Sequence, residues 1–214
     1  YLAQEARRLV DQADHAFEAT RRVARGEAAQ LRVGVPPSVM LTDLPNMVRK
    51  YRDRWPQVNF GLRELSTSAI KAALAAREID LGFLREVRPG GPLEARVFLT
   101  ESVVAVLPVS HPLATAKGPL KLRALKAKRF VFFPKRLGAT FYDALIQACV
   151  DAGFTPNIVQ EATQWSTVVS LVEAGMGVSL APACVAKMMR RGVVYREVRG
   201  LETSVYVGWR QGEL

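Results

Sequence analysis

Hydroxyl side chains collect where helices are expected to begin, and they are the best candidates for ligand binding in this sequence. Ser66, Thr67 and Ser68 stand together between the alternating stretch VNFGLRE and the Ala-rich stretch KAALAAREID. Ser38 follows the apolar stretch LRVGVPP. Other expected helix starts carry Thr140, Ser166 and Thr167. One hydroxyl is enough to cap a helix, so the cluster at 66–68 leaves at least one hydroxyl for a ligand.

The chemistry that these positions favour is binding of a small anion. The first turn of a helix has unpaired N–H groups, and its dipole stabilises an anion by about 0.3–1 kcal/mol. A hydroxyl that donates to a carboxylate adds about 1.5–3 kcal/mol. Two or three helix starts facing one cleft would bind a carboxylate at roughly micromolar strength without any Arg or Lys in the site. For Ser66 or Ser68 taken alone, simple capping is the competing interpretation.

Catalytic and metal chemistry have little support in the sequence. The histidines are His15, in a charged N-terminal stretch, and His111, in the turn VSHPLA. An enzyme acting on a small anion would need His111 to reach a serine at a helix start. No Cys/His cluster, GxGxxG or GxxxxGK[ST] pattern is present. Cys149 and Cys184 lie in apolar runs and are expected to be buried, reduced thiols. We therefore expect a non-enzyme without cofactor or metal.

The net charge of +10 is spread over several short basic runs, among them RKYRDR and KAKR. No run interleaves aromatic residues with Lys and Arg, as a base-stacking surface would. The charge therefore indicates solvated faces, or a protein that works beside a polyanion without reading bases. The sequence has no run of eighteen apolar residues and no signal-peptide core, so we expect a cytoplasmic protein with no membrane contact.

The N-terminal residues 1–26 predict a linker or dimerisation helix. Apolar residues recur seven apart, and smaller residues fill the second heptad position, which is the spacing of a coiled-coil seam. The alternative is a helix that lies on its own domain. The two sets of seam residues are Leu2, Leu9, Ala16 and Val23, and Ala6, Ala13 and Thr20.

The remaining sequence alternates strands and helices. Strands are expected at 31–37, 58–65 and 79–84, with helices at 42–56 and 66–77 between them, which predicts a parallel sheet with right-handed crossovers. The helix at 42–56 should bury Leu44, Met47, Val48, Tyr51 and Trp55. A second run follows RPGGP. It contains the extended stretch EARVFLTESVVAVLP, a strand at 129–134, the helices TFYDALIQACVDAG and QWSTVVSLVEAG, the separate strand VVYREV and a last strand at 203–210.

Several of these segments together resemble a known family. In order, LRVGVPPSV, LPNMVRKYRDRWPQVNFGLREL, AAREIDLGFLR, VAVLPVSHPLA, DAGFTPNIVQEA and LVEAGMGVSLAPA are similar to the effector-binding domain of LysR-type transcriptional regulators. The helix in front resembles the linker helix of that family. The stretches IVQEA and FFPKRLGATFYDAL resemble the branch that responds to muconate, chlorocatechol products and related aromatic acids.

The resemblance implies an α/β fold of two Rossmann-like subdomains joined by two crossover strands, as in type 2 periplasmic binding proteins. Their expected extents are 31–99 plus 203–214, and 100–202. The implied function is effector sensing and oligomerisation, with a small carboxylate bound between the subdomains. Ser38 and Thr67 would hold the carboxylate, Phe141 would line the pocket, and Thr140 would offer its backbone N–H. The same resemblance adds Gln164. The candidate ligand-binding residues also include Ser66, from the run of three hydroxyls, and Pro37, where the sequence departs from the turn usual in the family.

The resemblance also implies partners. These are the carboxylate effector, further copies of the chain in a dimer or tetramer, and RNA polymerase. Promoter DNA would be bound only through a winged helix-turn-helix that the sequence does not contain, and the family's usual C-terminal helix is likewise missing. The alternative interpretation is a periplasmic-type solute-binding protein for a small organic anion, which should have an export signal and be a monomer.

Overall fold

The computed structural model describes residues 30–85, 87 and 92–212. The linker helix expected at 1–26 lies outside these residues. Within the described ranges, every helix is too short or too polar to span a lipid bilayer. The same residues hold no group of three or more His, Cys, Asp or Glu side chains suited to a metal ion.

The first subdomain is built from the predicted strand-helix alternation. Strand β1 pairs in parallel with β2 on one side and with β3 on the other, which confirms the predicted parallel sheet. A short 3-10 helix, Pro37–Leu41, follows β1. The strands are β1 (Gln30–Val35), β2 (Asn59–Glu64) and β3 (Leu81–Arg85), and the helices are α1 (Leu44–Arg54) and α2 (Thr67–Ala75).

The second subdomain has three short strands of its own, β5 (Arg129–Phe132), β6 (Asn157–Glu161) and β7 (Ser179–Pro182), and the helices α3 (Ala139–Asp151) and α4 (Trp165–Glu173). It shares the long strands β4 (Leu93–Pro108) and β8 (Val193–Arg210) with the first subdomain. Three 3-10 helices, Leu122–Leu125, Lys135–Leu137 and Ala183–Met188, connect them. Helix α3 ends just before Gly153, the last residue of the predicted helix stretch. Gly153 has a φ of +86°, a conformation that favours glycine.

Two long strands join the subdomains. One sheet has the order β2-β1-β3-β8-β4-β7, and β5 and β6 pair with each other beside it. An isolated bridge joins Phe130 of β5 to Val178, the residue just before β7. Strands β4 and β8 are antiparallel neighbours from Leu93 opposite Arg210 to Pro108 opposite Val193. The predicted fold of two subdomains and two crossover strands is therefore confirmed. The expected separation of VVYREV from the last strand is wrong, because both belong to β8.

Close packing of α2 on the sheet fixes the position of its first turn. A Cβ atom added at Gly82 would lie 2.3 Å from Ile70 Cγ2, and one added at Gly34 would lie 2.7 Å from Ile79 Cδ1. Only glycine leaves room for Ile70 and Ile79 at these two points. Since Ile70 and Leu74 are fully buried, α2 has no freedom to tilt away from the sheet.

Helix α1 buries less than its spacing predicts. Leu44 is buried and Tyr51 contacts the Phe60 ring at 5.7 Å, but Met47 is 47% exposed and Trp55 44% exposed. Trp55 follows the last helical residue with φ −128° and ψ 62°, so helical spacing no longer sets its direction. Met47 lies at the margin of the face that meets the sheet.

Candidate functional site

A cavity of about 220 Å³ lies between the two subdomains. The 3-10 helix after β1, the end of β2 and the start of α2 supply one wall. The starts of α3 and α4 supply the other. The lining comprises Pro36, Pro37, Ser38, Glu64, Leu65, Ser66, Thr67 and Arg85 from the first subdomain, and Phe133, Leu137, Gly138, Phe141, Thr163, Gln164 and Trp165 from the second.

Most of the residues singled out by sequence come together here. Pro37, Ser38, Ser66, Thr67, Phe141 and Gln164 all line the cavity. Thr140 is outside this lining and half-buried. It belongs to the first turn of α3, and the expected role of its backbone N–H stays a prediction.

Two hydroxyls of the first subdomain face the cavity without protein partners. Ser38 is 4% exposed and Thr67 is 8% exposed. Neither hydroxyl forms a hydrogen bond with the residues that the structure describes. A buried hydroxyl is normally paired, because an unpaired one loses its bonds to water. Both groups are therefore free to donate to a ligand.

The three consecutive hydroxyls have three different environments. Ser66 Oγ accepts a bond from the Ala69 N–H at 3.2 Å and caps α2. Ser68 Oγ donates to the Arg136 carbonyl at 2.7 Å, across the cleft, and lies 3.0 Å from Ser66 Oγ. Thr67 points into the cavity. Capping therefore belongs to Ser66, and Ser68 links the two subdomains.

Helices α3 and α4 begin at the cavity without side-chain caps. The N-cap residues are Gly138 and Gln164, and neither start has a capping side chain. The first helical bonds run from Tyr142 N–H to the Gly138 carbonyl and from Val168 N–H to the Gln164 carbonyl, both at 3.0 Å. The earlier N–H groups of each first turn thus have no backbone acceptor. Two helix dipoles add positive potential where these starts line the cavity.

Aromatic rings form the rest of the second wall. Phe133 and Phe141 stack with centroids 5.6 Å apart and ring planes at 10°. Trp165 contacts Phe133 at 5.6 Å with a 56° tilt. Phe133 and Phe141 also belong to the main core of the second subdomain, so this wall is rigid and apolar.

Arg85, which the sequence reasoning missed, lines the same cavity. It is 4% exposed, its guanidinium lies 5.5 Å from the centre of the Phe141 ring, and its Nη2 donates to Glu101 Oε1 at 2.9 Å. Its Nε has no partner among the described residues. The sequence reasoning assembled an anion site from helix starts and hydroxyls alone, whereas the cavity is also lined by a guanidinium. The sequence could have identified Arg85, because it ends a predicted parallel strand, and ligands bind at the carboxyl ends of such strands.

Glu101, on the crossover strand β4, connects Arg85 with the second subdomain. Its Oε2 accepts a bond from the Cys184 N–H at 2.6 Å. The Cys184 thiol in turn donates to the Ser38 carbonyl at 3.2 Å. Burial, followed by the charge of Glu101, raises the pKa of Cys184 to about 12, so the thiol stays protonated at neutral pH. Cys149 is also free and buried, as predicted.

The sequence is similar to a known domain family and to known regulators. Residues 24–214 match the LysR substrate binding domain. The chain belongs to this family. The LysR domain is 35% identical to the HTH-type transcriptional regulator AlsR of Bacillus subtilis (strain 168), over 88% of the chain and 62% of AlsR. It is 30% identical to the HTH-type transcriptional regulator CatR of Pseudomonas putida, over 91% of the chain and 67% of CatR. These relatives are regulators rather than enzymes.

Solved structures share the fold of this LysR domain. The BenM effector binding domain with its effector benzoate is 25% identical, with a TM-score of 0.78 and coverage of 86% of this chain and 85% of that one. Full-length CbnR in complex with its target DNA is 22% identical, with a TM-score of 0.77 and coverage of 98% and 74%. At that identity, CbnR supports the fold alone. The chain spans 62% of the length of AlsR.

Proposed function

We propose that this chain is the effector-sensing domain of a transcriptional regulator, and that it binds a small carboxylate between its subdomains to control transcription. The observation that carries the proposal is the convergence on one cavity of two buried, unpaired hydroxyls and two uncapped helix starts. The hydroxyls can donate hydrogen bonds and the helix starts carry positive potential, so both kinds of group favour an anion. Arg85 lines the same cavity and adds a positively charged guanidinium.

The ligand class follows from the second wall and the volume. A cavity of about 220 Å³ suits a molecule with one ring or a short conjugated chain. Stacked Phe133 and Phe141 favour a flat apolar body. BenM, a structural relative, has benzoate as its effector. An aromatic-derived acid such as benzoate, cis,cis-muconate or a chlorinated analogue therefore fits the proposed site best.

The proposed mechanism is a shift between open and closed arrangements of the subdomains. Strands β4 and β8 are the only continuous strands shared by both in the described part of the chain, so they form the hinge. A ligand favours closure only by the difference between its affinities for the two arrangements. The proposed units are residues 31–99 with 203–214, and 100–202, on either side of the hinge.

In the whole regulator, residues 1–26 would form the linker helix that brings copies together as a dimer or tetramer. Closure would change the spacing between copies, and a separate helix-turn-helix region would contact promoter DNA in the cytoplasm. RNA polymerase is a further proposed partner. The HTH-type relatives support this arrangement.

The test is a calorimetric titration with benzoate, cis,cis-muconate and chlorinated benzoates. The Ser38→Ala/Thr67→Val double variant should bind the best of these acids at least about 100-fold more weakly, since each of the two hydroxyls contributes about 1.5–3 kcal/mol and about 1.4 kcal/mol is a factor of ten. Ser110→Ala/Thr115→Val, two exposed positions in a turn, is the matched control and should bind normally. Unchanged affinity in the double variant would refute the carboxylate site.

A further inference from the structure

A segment of unbalanced positive charge lies at residues 121–129, outside the cleft. It contains Lys121, Arg123, Lys126, Lys128 and Arg129, and no Asp or Glu occurs between residues 102 and 142. Arg129 begins β5, and Phe133 of the cavity wall follows the other end of that strand. At about 3.3 Å per residue, Arg129 lies about 13 Å along the strand from Phe133. We call residues 121–129 the basic segment.

Three tight turns hold the basic segment in a fixed shape. The Ala124 N–H donates to the Lys121 carbonyl at 2.9 Å, the Lys126 N–H to the Arg123 carbonyl at 3.1 Å, and the Lys128 N–H to the Leu125 carbonyl at 3.0 Å. Leu125 is fully buried and anchors the turns in the core. Lys128 is half-buried and the other four cations are exposed. The backbone that carries the five cations therefore has a fixed shape.

These cations lack the partners that others in the molecule have. Arg32 pairs with Asp80 at 2.7 Å and Lys135 with Asp143 at 2.7 Å. In contrast, none of the five side chains in the basic segment forms an ion pair or hydrogen bond with a described residue. Strand β8 runs beside the start of the segment, because the Leu120 backbone bonds to the backbones of Glu197 and Arg199. At these two positions β8 adds one exposed acid, Glu197, and one exposed cation, Arg199. The excess positive charge remains.

We propose that the basic segment binds the phosphate backbone of duplex DNA without reading its sequence. A protein partner would need an apolar interface core, but the exposed apolar residues here are only Ala124 and Ala127. A single strand would need exposed aromatic rings for stacking, and the segment has none. Phosphate contacts need only Lys and Arg. This inference rests on the proposed function, which places the protein at a promoter.

The experiment measures fluorescence anisotropy of a labelled 20-bp duplex of mixed sequence, with the 214-residue chain, between about 50 and 200 mM KCl. Five phosphate contacts predict a slope of log affinity against log salt of about −4.5. The Lys121→Gln/Lys126→Gln/Arg129→Gln variant should bind at least 10-fold more weakly at low salt, with a slope shallower by about 2.7. Exchanging Lys and Arg at the same three positions should keep both values.

The matched control is Lys50→Gln/Lys187→Gln/Arg191→Gln, which removes the same charge from exposed positions elsewhere. It should retain the wild-type slope. Equal weakening by both triple variants, absence of duplex binding at about 50 mM salt, or tighter binding to poly-glutamate than to the duplex would overturn the proposal. Benzoate and muconate titrations on the same variants test the carboxylate site separately. Because the basic segment does not line the cavity, its variants should bind these acids normally even if the DNA proposal fails.

Discussion

The two walls of the cleft are made of different chemistry. The first subdomain presents hydroxyls, with Ser38 and Thr67 unpaired and α2 already capped by Ser66. The second presents stacked Phe133 and Phe141 together with two uncapped helix starts. The Ser38 and Thr67 hydroxyls have no hydrogen-bond partner among the described residues, whereas the rings of Phe133 and Phe141 are part of a core.

This contrast separates binding from stability. Phe141 is 5% exposed and packs in the same cluster as Leu145 and Cys149, so its removal affects folding as well as the cavity. The Thr67 hydroxyl supports nothing else in the described structure. Loss of the Phe141 ring should therefore lower the free energy of unfolding, and loss of the unpaired Thr67 hydroxyl should lower ligand affinity alone.

The largest expected effect breaks the aromatic wall. Phe141→Ala removes a buried ring that stacks on Phe133 and lies beneath Arg85, and it should lower the free energy of unfolding by about 3–5 kcal/mol. Urea denaturation followed by circular dichroism measures this loss. Phe141→Leu, which keeps most of the apolar volume, is the control and should cost clearly less. A loss below about 1 kcal/mol for Phe141→Ala would contradict the assignment of this wall to the core.

A smaller effect on the free energy of unfolding distinguishes Ser66 from Thr67, two adjacent residues of the first wall. Ser66→Ala removes the cap of α2 and should lower the free energy of unfolding by about 0.5–2 kcal/mol. Thr67→Val keeps the shape of the side chain and removes only an unpaired hydroxyl, so it should not destabilise the protein. Thermal and urea unfolding of both variants makes the comparison. Equal destabilisation by the two substitutions would show that Thr67 has a structural role.

The smallest expected effect concerns the bond between the walls. Ser68→Ala removes the hydrogen bond to the Arg136 carbonyl across the cleft, which is worth about 0.5–1.5 kcal/mol to an arrangement in which it is formed. Apparent affinity for the best carboxylate should fall by about 2- to 10-fold, as measured by calorimetry. Ser110→Ala is the control. Affinity that stays constant or rises in Ser68→Ala would mean that this bond does not favour the bound arrangement.

Local patterns predicted the elements well. Alternating strands and helices predicted the parallel sheet, and the stretches TFYDALIQACVDAG and QWSTVVSLVEAG predicted α3 and α4. The six lining residues found in advance sit at strand ends or helix starts, where the chain order of an α/β sheet already places them. Helix α1 shows the limit, because apolar spacing does not reveal that Met47 and Trp55 stay exposed.

The sequence by itself determined which segments become strands and helices and which hydroxyls stand at their starts, because both depend on neighbouring residues. Only the tertiary structure decided that Arg85 meets Glu101 at 2.9 Å, that Ser68 crosses to Arg136, and that β8 continues through both subdomains. Those contacts join residues far apart in the chain. Their geometry depends on how β4 and β8 pass between the subdomains, which no local pattern encodes.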